Sequence, residues 1–205
     1  MRFQNHLDGA ICARFCFAGM NGWCRKEFRN WCFFLIGVWR KLRVQPIGGK
    51  TPMSLRLNYH EQSPGGMKAF GGVRAYIGEC GLETELVDLV YLRVSLINGC
   101  AYCIDLHTRD LIKAGMAVAK IALVPVWYEG GKLFSERERA ALRWAETVTR
   151  VAETRVPDEA FAAAAKQFNE KELADLTMAI GLMNALNRIA ISFRSTPIAA
   201  KQAEA

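Results

Sequence analysis

Apolar residues along most of this 205-residue chain recur at intervals of three and four, the spacing of one face of an α-helix. No strand-like alternation is sustained over a full element, and the chain shows no internal repeat and no low-complexity segment. Between residues 83 and 98, Leu86, Leu89, Val90, Val94 and Ile97 form one stripe. This predicts an amphipathic helix that stops at Asn98 and Gly99, a common helix-ending pair. Upstream, Ser63 as N-cap and Pro64 at the first helical position predict a helix over 63–78, weakened by Gly65, Gly66, Gly71 and Gly72. Downstream, one helix should run from Cys100 to Ala114 and Gly115, and a short apolar one should lie near 117–126. A loop is expected at 129–132. Ser135 with Glu138 reads as a capping box opening a helix to about Glu153. Val156, Pro157 and Asp158 open the next, to about Phe168, and Asn169 with Glu172 caps a last strong helix to about Ser192. Six to seven helices with short loops and no strands predict a compact all-α domain.

Charge divides the chain in two. Residues 1–52 carry nine basic residues against only Asp8 and Glu27, whereas residues 53–205 carry eighteen of each sign. The net charge of +7 therefore belongs to a leader, and the body offers no electrostatic reason for a nucleic-acid partner. Residues 47–52 (IGGKTP) read as a linker. The leader, 1–52, is expected to be poorly structured, and residues 53–205 to be the folded domain. Within the leader, residues 31–39 (WCFFLIGVW) are apolar but about half the length needed to cross a bilayer. They are followed by Arg40, Lys41 and Arg43 without a small-residue cleavage site. A transit peptide, an interfacial anchor and translated upstream sequence ahead of a real start at Met53 are the alternative readings of this segment.

Seven cysteines divide the same way, with Cys12, Cys16, Cys24 and Cys32 in the leader and Cys80, Cys100 and Cys103 in the body. Three body cysteines make no disulfide framework, and a reducing, cytoplasmic setting fits them. The leader spacings match no common zinc pattern. Cys100 and Cys103 follow directly on the Gly99 break, so they occupy the first turn of a new helix. Unpaired N–H groups and the positive end of the helix dipole stabilise a thiolate there. A spacing of three puts both sulfurs on one face, within reach of a disulfide. His107 lies four residues past Cys103, one turn on, where its ring can reach the same thiol. A thiol beside an imidazole is an activated nucleophile, and a second thiol can resolve the sulfenic acid it forms. The same residues with Asp105 or Asp88 could instead hold zinc, but the body offers no second separated ligand pair, and His60 lies far upstream in an expected loop. A purely structural, buried CxxC is the other alternative.

Residues 88–107 (DLVYLRVSLINGCAYCIDLH) resemble the signature of AhpD-like alkylhydroperoxidases in the carboxymuconolactone decarboxylase superfamily: an acidic residue, eleven residues, CxxC, three residues and His. The similarity runs from about Met53 to Pro197. It includes Leu57, Asn58 and Tyr59 with Gln62, Ser63 and Pro64, then residues 134–138 (FSERE), then residues 184–188 (NALNR). Proteins of this family usually begin near a residue like Met53. The resemblance implies an AhpD-like helical fold and an oxidoreductase that reduces hydroperoxides through a CxxC disulfide cycle. It implies Cys103 as the peroxidatic thiolate, Cys100 as the resolving thiol, and His107 with Asp88 as the proton relay. The family's acid is usually Glu, so Asp88 is one methylene short, and Glu85, one turn upstream, is a lesser substitute. The implied partners are a hydroperoxide, an external dithiol reductant and further copies of the chain in a homo-oligomer. No cofactor, metal, membrane or nucleic acid is implied.

Two other activities fit parts of the pattern. A redox sensor or disulfide carrier needs only the thiol pair, and a decarboxylase-type lyase belongs to the same superfamily but generally lacks the paired cysteines. The remaining candidates are expected to be structural. Tyr102 should pack or shield the sulfurs, and Trp127 and Trp144 should fill core or subunit contacts. Asn184, Asn187 and Arg188 should form a hydrogen-bonded anchor or interface, and Cys80 should be a small buried hydrophobe.

Overall fold

The segment predicted as a one-sided amphipathic helix is buried on every side. In a computed structural model describing residues 54–203, all of residues 89–95 are buried, while Ile97 of the expected stripe is only half-buried. This helix (α3, Thr84–Asn98) follows α1 (Tyr59–Gln62) and α2 (Pro64–Glu79). It precedes α4 (Ala101–Lys113), α5 (Val118–Ala122), two 3-10 turns (Val124–Glu129 and Gly131–Leu133) and α6 (Glu136–Thr149). The chain continues through α7 (Val151–Thr154), α8 (Asp158–Ala165), α9 (Glu170–Phe193) and α10 (Ile198–Ala203). No strand occurs among the described residues. The fold is all-α, as the periodicity predicts; the leader lies outside the described residues.

α3 stands between two apolar cores, which is why both of its faces are apolar. On one side Leu86, Val90 and Val94 join Ala141 and Trp144 of α6 and Leu176, Ile180 and Met183 of α9. On the other, Leu89 and Leu92 join Leu111 of α4, Val124, Trp127, Phe134 and Leu142. Each fully buried Leu or Val contributes roughly 1.5–3 kcal/mol over the exposed state, so the two-sided burial is a large share of the folding free energy. The segment Glu170–Ala203 is long and apolar enough to cross a membrane by length and composition. Leu173, Leu176, Ala179, Ile180 and Met183 within it pack into the first core.

Local signals place most helix starts. Both predicted capping boxes are closed in both directions, with Glu138 N donating to Ser135 Oγ (3.2 Å) and Ser135 N to Glu138 Oε2 (2.8 Å). The Asn169–Glu172 pair does the same at 2.9 Å each way. Ser63 is the N-cap of α2 but makes no side-chain cap bond. Four expectations need correction. The stretch near 117–126 divides at Leu123, where α5 ends and a 3-10 turn carrying Pro125 begins, and the loop at 129–132 is itself largely a 3-10 turn. The helix from Ser135 does not reach Glu153 unbroken, because Arg150 leaves helical geometry and Thr154 Oγ1 bonds Thr147 O (2.7 Å). His60 sits in the one-turn α1 rather than a loop.

Buried polar side chains tie the helices together. Arg93 on α3 donates to Glu146 on α6 (2.9 Å) and to Pro125 O (3.1 Å), and Trp127 Nε1 donates to the same carboxylate (2.6 Å). Asn98 Nδ2 donates to Asn184 Oδ1 (3.0 Å) and Asn187 Oδ1 (2.9 Å), and Asn187 Nδ2 donates to Ser95 Oγ (3.1 Å). Arg188 closes back on Asn184 (2.8 Å). Asn184, Asn187 and Arg188 are thus the anchor expected of them, holding the end of α3 against α9. Trp144 is core, with Nε1 on Thr177 Oγ1 (2.9 Å). Cys80 is half-buried rather than fully buried, its thiol donating to Ile77 O (3.1 Å).

Asp175, only 2% exposed, joins α9 to α2. Its carboxylate accepts from Lys171 Nζ (2.7 Å) and Tyr76 Oη (2.8 Å), and Lys171 also donates to Cys80 O (2.6 Å). The Lys171 bond, with Tyr76, outweighs the cost of burial and holds the carboxyl below its ordinary range. A carboxyl lowered by folding stabilises the native state above the ordinary carboxylate range, and that contribution is lost as pH falls through the folded value. Asp175→Asn should therefore cost about 1–3 kcal/mol near neutral pH, the scale for a buried hydrogen bond to a charged group. Thermal melts from about pH 7 down to about pH 3 should show the gap from wild type closing as the native carboxyl is protonated.

Candidate active site

The site begins at the break between α3 and α4. Gly99 adopts φ 72° and ψ 33°, the left-handed conformation that glycine enters without the penalty of a Cβ. Its N–H bonds Ser95 O, and Cys100 N reaches the same carbonyl at 3.0 Å. Cys100 is then the N-cap of α4, with extended φ/ψ, and its sulfur accepts from Cys103 N at 3.4 Å. Cys103 lies in the first turn. The two cysteines are joined as a disulfide, with Cα atoms 5.4 Å apart. Both are buried, Cys100 at 1% and Cys103 at 4% exposure, among the residues of the first core. Tyr102 between them is half-buried and packs on the same core.

One turn further, His107 is buried and α4 runs back along α3. His107 Nδ1 meets Asp88 Oδ1 at 3.2 Å. The shorter acid therefore reaches the imidazole directly, with no intervening group. Glu85 is exposed, and no hydrogen bond joins it to His107 among the described residues. No hydrogen bond links the imidazole to either sulfur in this disulfide form. Asp105, the other acid considered for a zinc site, is turned away. It accepts from Arg109 Nε and Ala199 N, each at 2.9 Å, and these bonds outweigh its burial and hold its carboxyl low.

Two residues join the site that the sequence reading does not single out. Asp110 Oδ2 stands 3.8 Å from His107 Nδ1, so the ring nitrogen faces two carboxylates. Its signal is its position, three residues after His107 on the same helix face. Tyr91, three residues after Asp88, sets its ring 5.0 Å from the imidazole at 52°. Its hydroxyl is buried and has no hydrogen-bond partner among the described residues. Burial, reinforced by Asp88 and opposed by Arg74, pushes that hydroxyl up to about 12, so it remains a donor at physiological pH. Asp88, His107 and Asp110 each bring one ligand atom within 4.8 Å of the others, a donor set that could hold a hard cation. A cavity of about 440 Å³ opens over Asp88, Tyr91 and Asp110.

Chemically, the site offers a dithiol–disulfide pair at a helix N-terminus, an imidazole oriented by a carboxylate, and a free hydroxyl beside it. The carboxylate fixes the ring so that Nδ1 carries a proton, leaving Nε2 to exchange protons elsewhere. Such a set can cycle between dithiol and disulfide and can move a proton on and off a thiol.

Comparisons with known proteins place this chain in a family. The model of the carboxymuconolactone decarboxylase family matches residues 64–147, which contain all the side chains just described. A Bacillus subtilis (strain 168) protein of uncharacterised function, YdfG, is 36% identical over 140 residues, spanning 68% of this chain and 95% of its own length. The crystal structure of an Agrobacterium tumefaciens protein of unknown function, suggested to be the antioxidant defence protein AhpD, is 40% identical with a TM-score of 0.68. The match covers 70% of this chain and 98% of that one. The debrominase Bmp8 shares the fold at 23% identity and a TM-score of 0.61, over 70% of this chain and 76% of its own. The chain belongs to the carboxymuconolactone decarboxylase family and is AhpD-like in sequence and fold.

Proposed function

We propose that the protein is a thiol peroxidase that reduces organic hydroperoxides through the Cys100–Cys103 pair and is recycled by an external dithiol. The observation that carries this reading is the closed Cys100–Cys103 disulfide one turn from a buried histidine held by Asp88. In the reduced protein His107 accepts the Cys103 proton, and Asp88 stabilises the imidazolium. The Cys103 thiolate attacks the terminal oxygen of the hydroperoxide, the O–O bond breaks, and the departing alkoxide takes a proton to leave as an alcohol. Cys103 is now a sulfenic acid. Cys100 attacks its sulfur, water departs and the disulfide forms. A dithiol donor then reduces the disulfide by exchange and leaves oxidised. Placement at the N-terminus of α4 favours the thiolate in each half of the cycle. The reading requires a compartment that supplies such a donor, which the cytosol does.

The full-length chain, given an organic hydroperoxide and excess dithiol, should consume peroxide over many turnovers. Cys103→Ser and Cys100→Ser should each abolish that turnover. Serine keeps an N-cap acceptor at position 100, so loss of activity there is not loss of the helix. A single stoichiometric oxidation in the wild type would instead mark a redox sensor or disulfide carrier, the reading that needs the thiol pair alone.

Removing the acid nearest the imidazole should hurt more than removing the further one. Asp88→Asn is expected to lower the rate of the peroxide step about 10²-fold or more, the scale of general acid–base assistance, with Asp110→Asn costing less. Stopped-flow pH profiles of both variants check this; equal profiles would remove Asp88 from the relay.

A further inference from the structure

Two carboxylates converge on a single ring nitrogen at His107. Asp88 Oδ1 stands 3.2 Å from Nδ1 and Asp110 Oδ2 stands 3.8 Å from it, and the three atoms all lie within 4.8 Å of one another. Neither acid's side chain takes part in another hydrogen bond or ion pair among the described residues. By contrast Glu146, Glu138 and Asp175 are each matched by a full cation, Arg93, Lys120 and Lys171 in turn. A carboxylate offers about four lone-pair sites, and a neutral imidazole presents at most one N–H at Nδ1. Two like charges brought together on one such group repel unless positive charge stands between them. Arg74 and Lys113 line the same cavity, but their side chains are exposed and pair with neither acid. The same corner of the fold holds the one buried side-chain polar atom left without a partner among the described residues, the Tyr91 hydroxyl.

We propose that Asp88, His107 and Asp110 bind one divalent cation of the Mn²⁺ class, through one oxygen of each carboxylate and Nδ1 of the ring, and that the bound ion switches the relay off. Metal–ligand bonds of about 2.1 Å put neighbouring ligand atoms about 3.0–3.4 Å apart in octahedral or tetrahedral shells. Asp88 and the ring already meet that spacing at 3.2 Å. The Asp110 side chain is 36% exposed, and a small rotation closes the rest. Two carboxylate oxygens with one imidazole suit Mn²⁺ better than a soft, thiol-seeking ion. The thiols that would attract a soft ion are joined to each other and stand outside the donor set. Asp88 and Asp110 both line the cavity, which gives the ion its way in and leaves room for water on its open positions. Arg74 and Lys113 oppose an incoming cation, but exposed charges are screened by salt. With the ion on Nδ1, the neutral ring carries its one proton on Nε2. The ring exchanges one N–H for the other, so no net proton is gained or lost and no electron moves. His107 then has no free nitrogen to accept the Cys103 proton. Binding of the ion stands by itself, whereas its effect on the relay rests on the peroxidase reading.

Binding can be read apart from activity by titrating the full chain, in its disulfide form, with Mn²⁺ alone and following the loss of the free-ion electron paramagnetic resonance signal. One tight ion per chain is expected, and pulsed measurements should show coupling to one directly bound nitrogen. Asp88→Asn and Asp110→Asn should each weaken binding at least tenfold, since loss of a ligand costs no less than loss of a group that merely orients one. Glu85→Gln, one turn from Asp88 but outside the donor set, should leave it unchanged. The Asp110 side chain is partly exposed, so that variant tests the site even where Asp88→Asn fails to fold. Affinity that survives Asp110→Asn, or a bound ion without nitrogen coupling, overturns the site. For the switch, the prereduced chain, freed of dithiol, is mixed with cumene hydroperoxide with and without Mn²⁺. Thiol oxidation should slow at least tenfold, in step with the occupancy read by resonance, and Asp110→Asn should need correspondingly more Mn²⁺ to slow. Full occupancy with no slowing overturns the switch. A metal-free chain that consumes no hydroperoxide overturns the peroxidase reading, and the resonance titration then decides the ion site independently.

Discussion

The geometry of the site depends on one backbone reversal. At Gly99 the chain enters the left-handed region, which costs a residue with a Cβ roughly 1–2 kcal/mol. An added Cβ there would meet no neighbour within 4 Å, so the demand for glycine is conformational and not steric. The reversal ends α3 and starts α4 within two residues and sends α4 back along α3. Three consequences follow together: Cys100 becomes an N-cap, Cys103 falls in the first turn, and His107 comes against Asp88 and Tyr91. Without it the CxxC and the acid would lie on separate surfaces.

The reversal is held by packing on both sides. α3 is enclosed by two cores, and its polar residues are satisfied inside them. Arg93 is paired with Glu146, and Ser95 accepts from Asn187. Asn98, the last residue of α3, is fixed by Asn184 and Asn187 of α9 immediately before the glycine. Buried polar groups are costly unless paired, so these bonds confine α3 to one position and rotation. Asp88 and Tyr91, on the same helix, inherit that precision. Against this background of paired groups, the lone Tyr91 hydroxyl stands out.

Electrostatics divide the site into two regions. The sulfurs sit in an apolar core at the positive end of a helix, with no carboxylate bonded to them. The two acids meet the imidazole at Nδ1 and line the cavity. An imidazole in that place lets the carboxylates influence a proton on sulfur without placing negative charge beside a thiolate, which would oppose its formation.

Much of this was legible in the residues alone because the signals are local. The capping boxes at Ser135 and Asn169, the stop at Gly99 and the placement of Cys100 and Cys103 at a helix start each involve a backbone interaction within about four residues. So does the spacing that puts His107 one turn beyond Cys103. Tertiary structure decided what spans helices. It buried α3 on both faces, where periodicity suggested one, because a second core forms against residues 111–142 that no local pattern links to it. It broke the helix at Arg150, and it set Asp88 at bonding distance from His107 across nineteen residues of chain. It also brought Tyr91 and Asp110 to one cavity. Spacing reports which residues share a helix face, but which face meets which neighbour is set by the packing of all the helices at once.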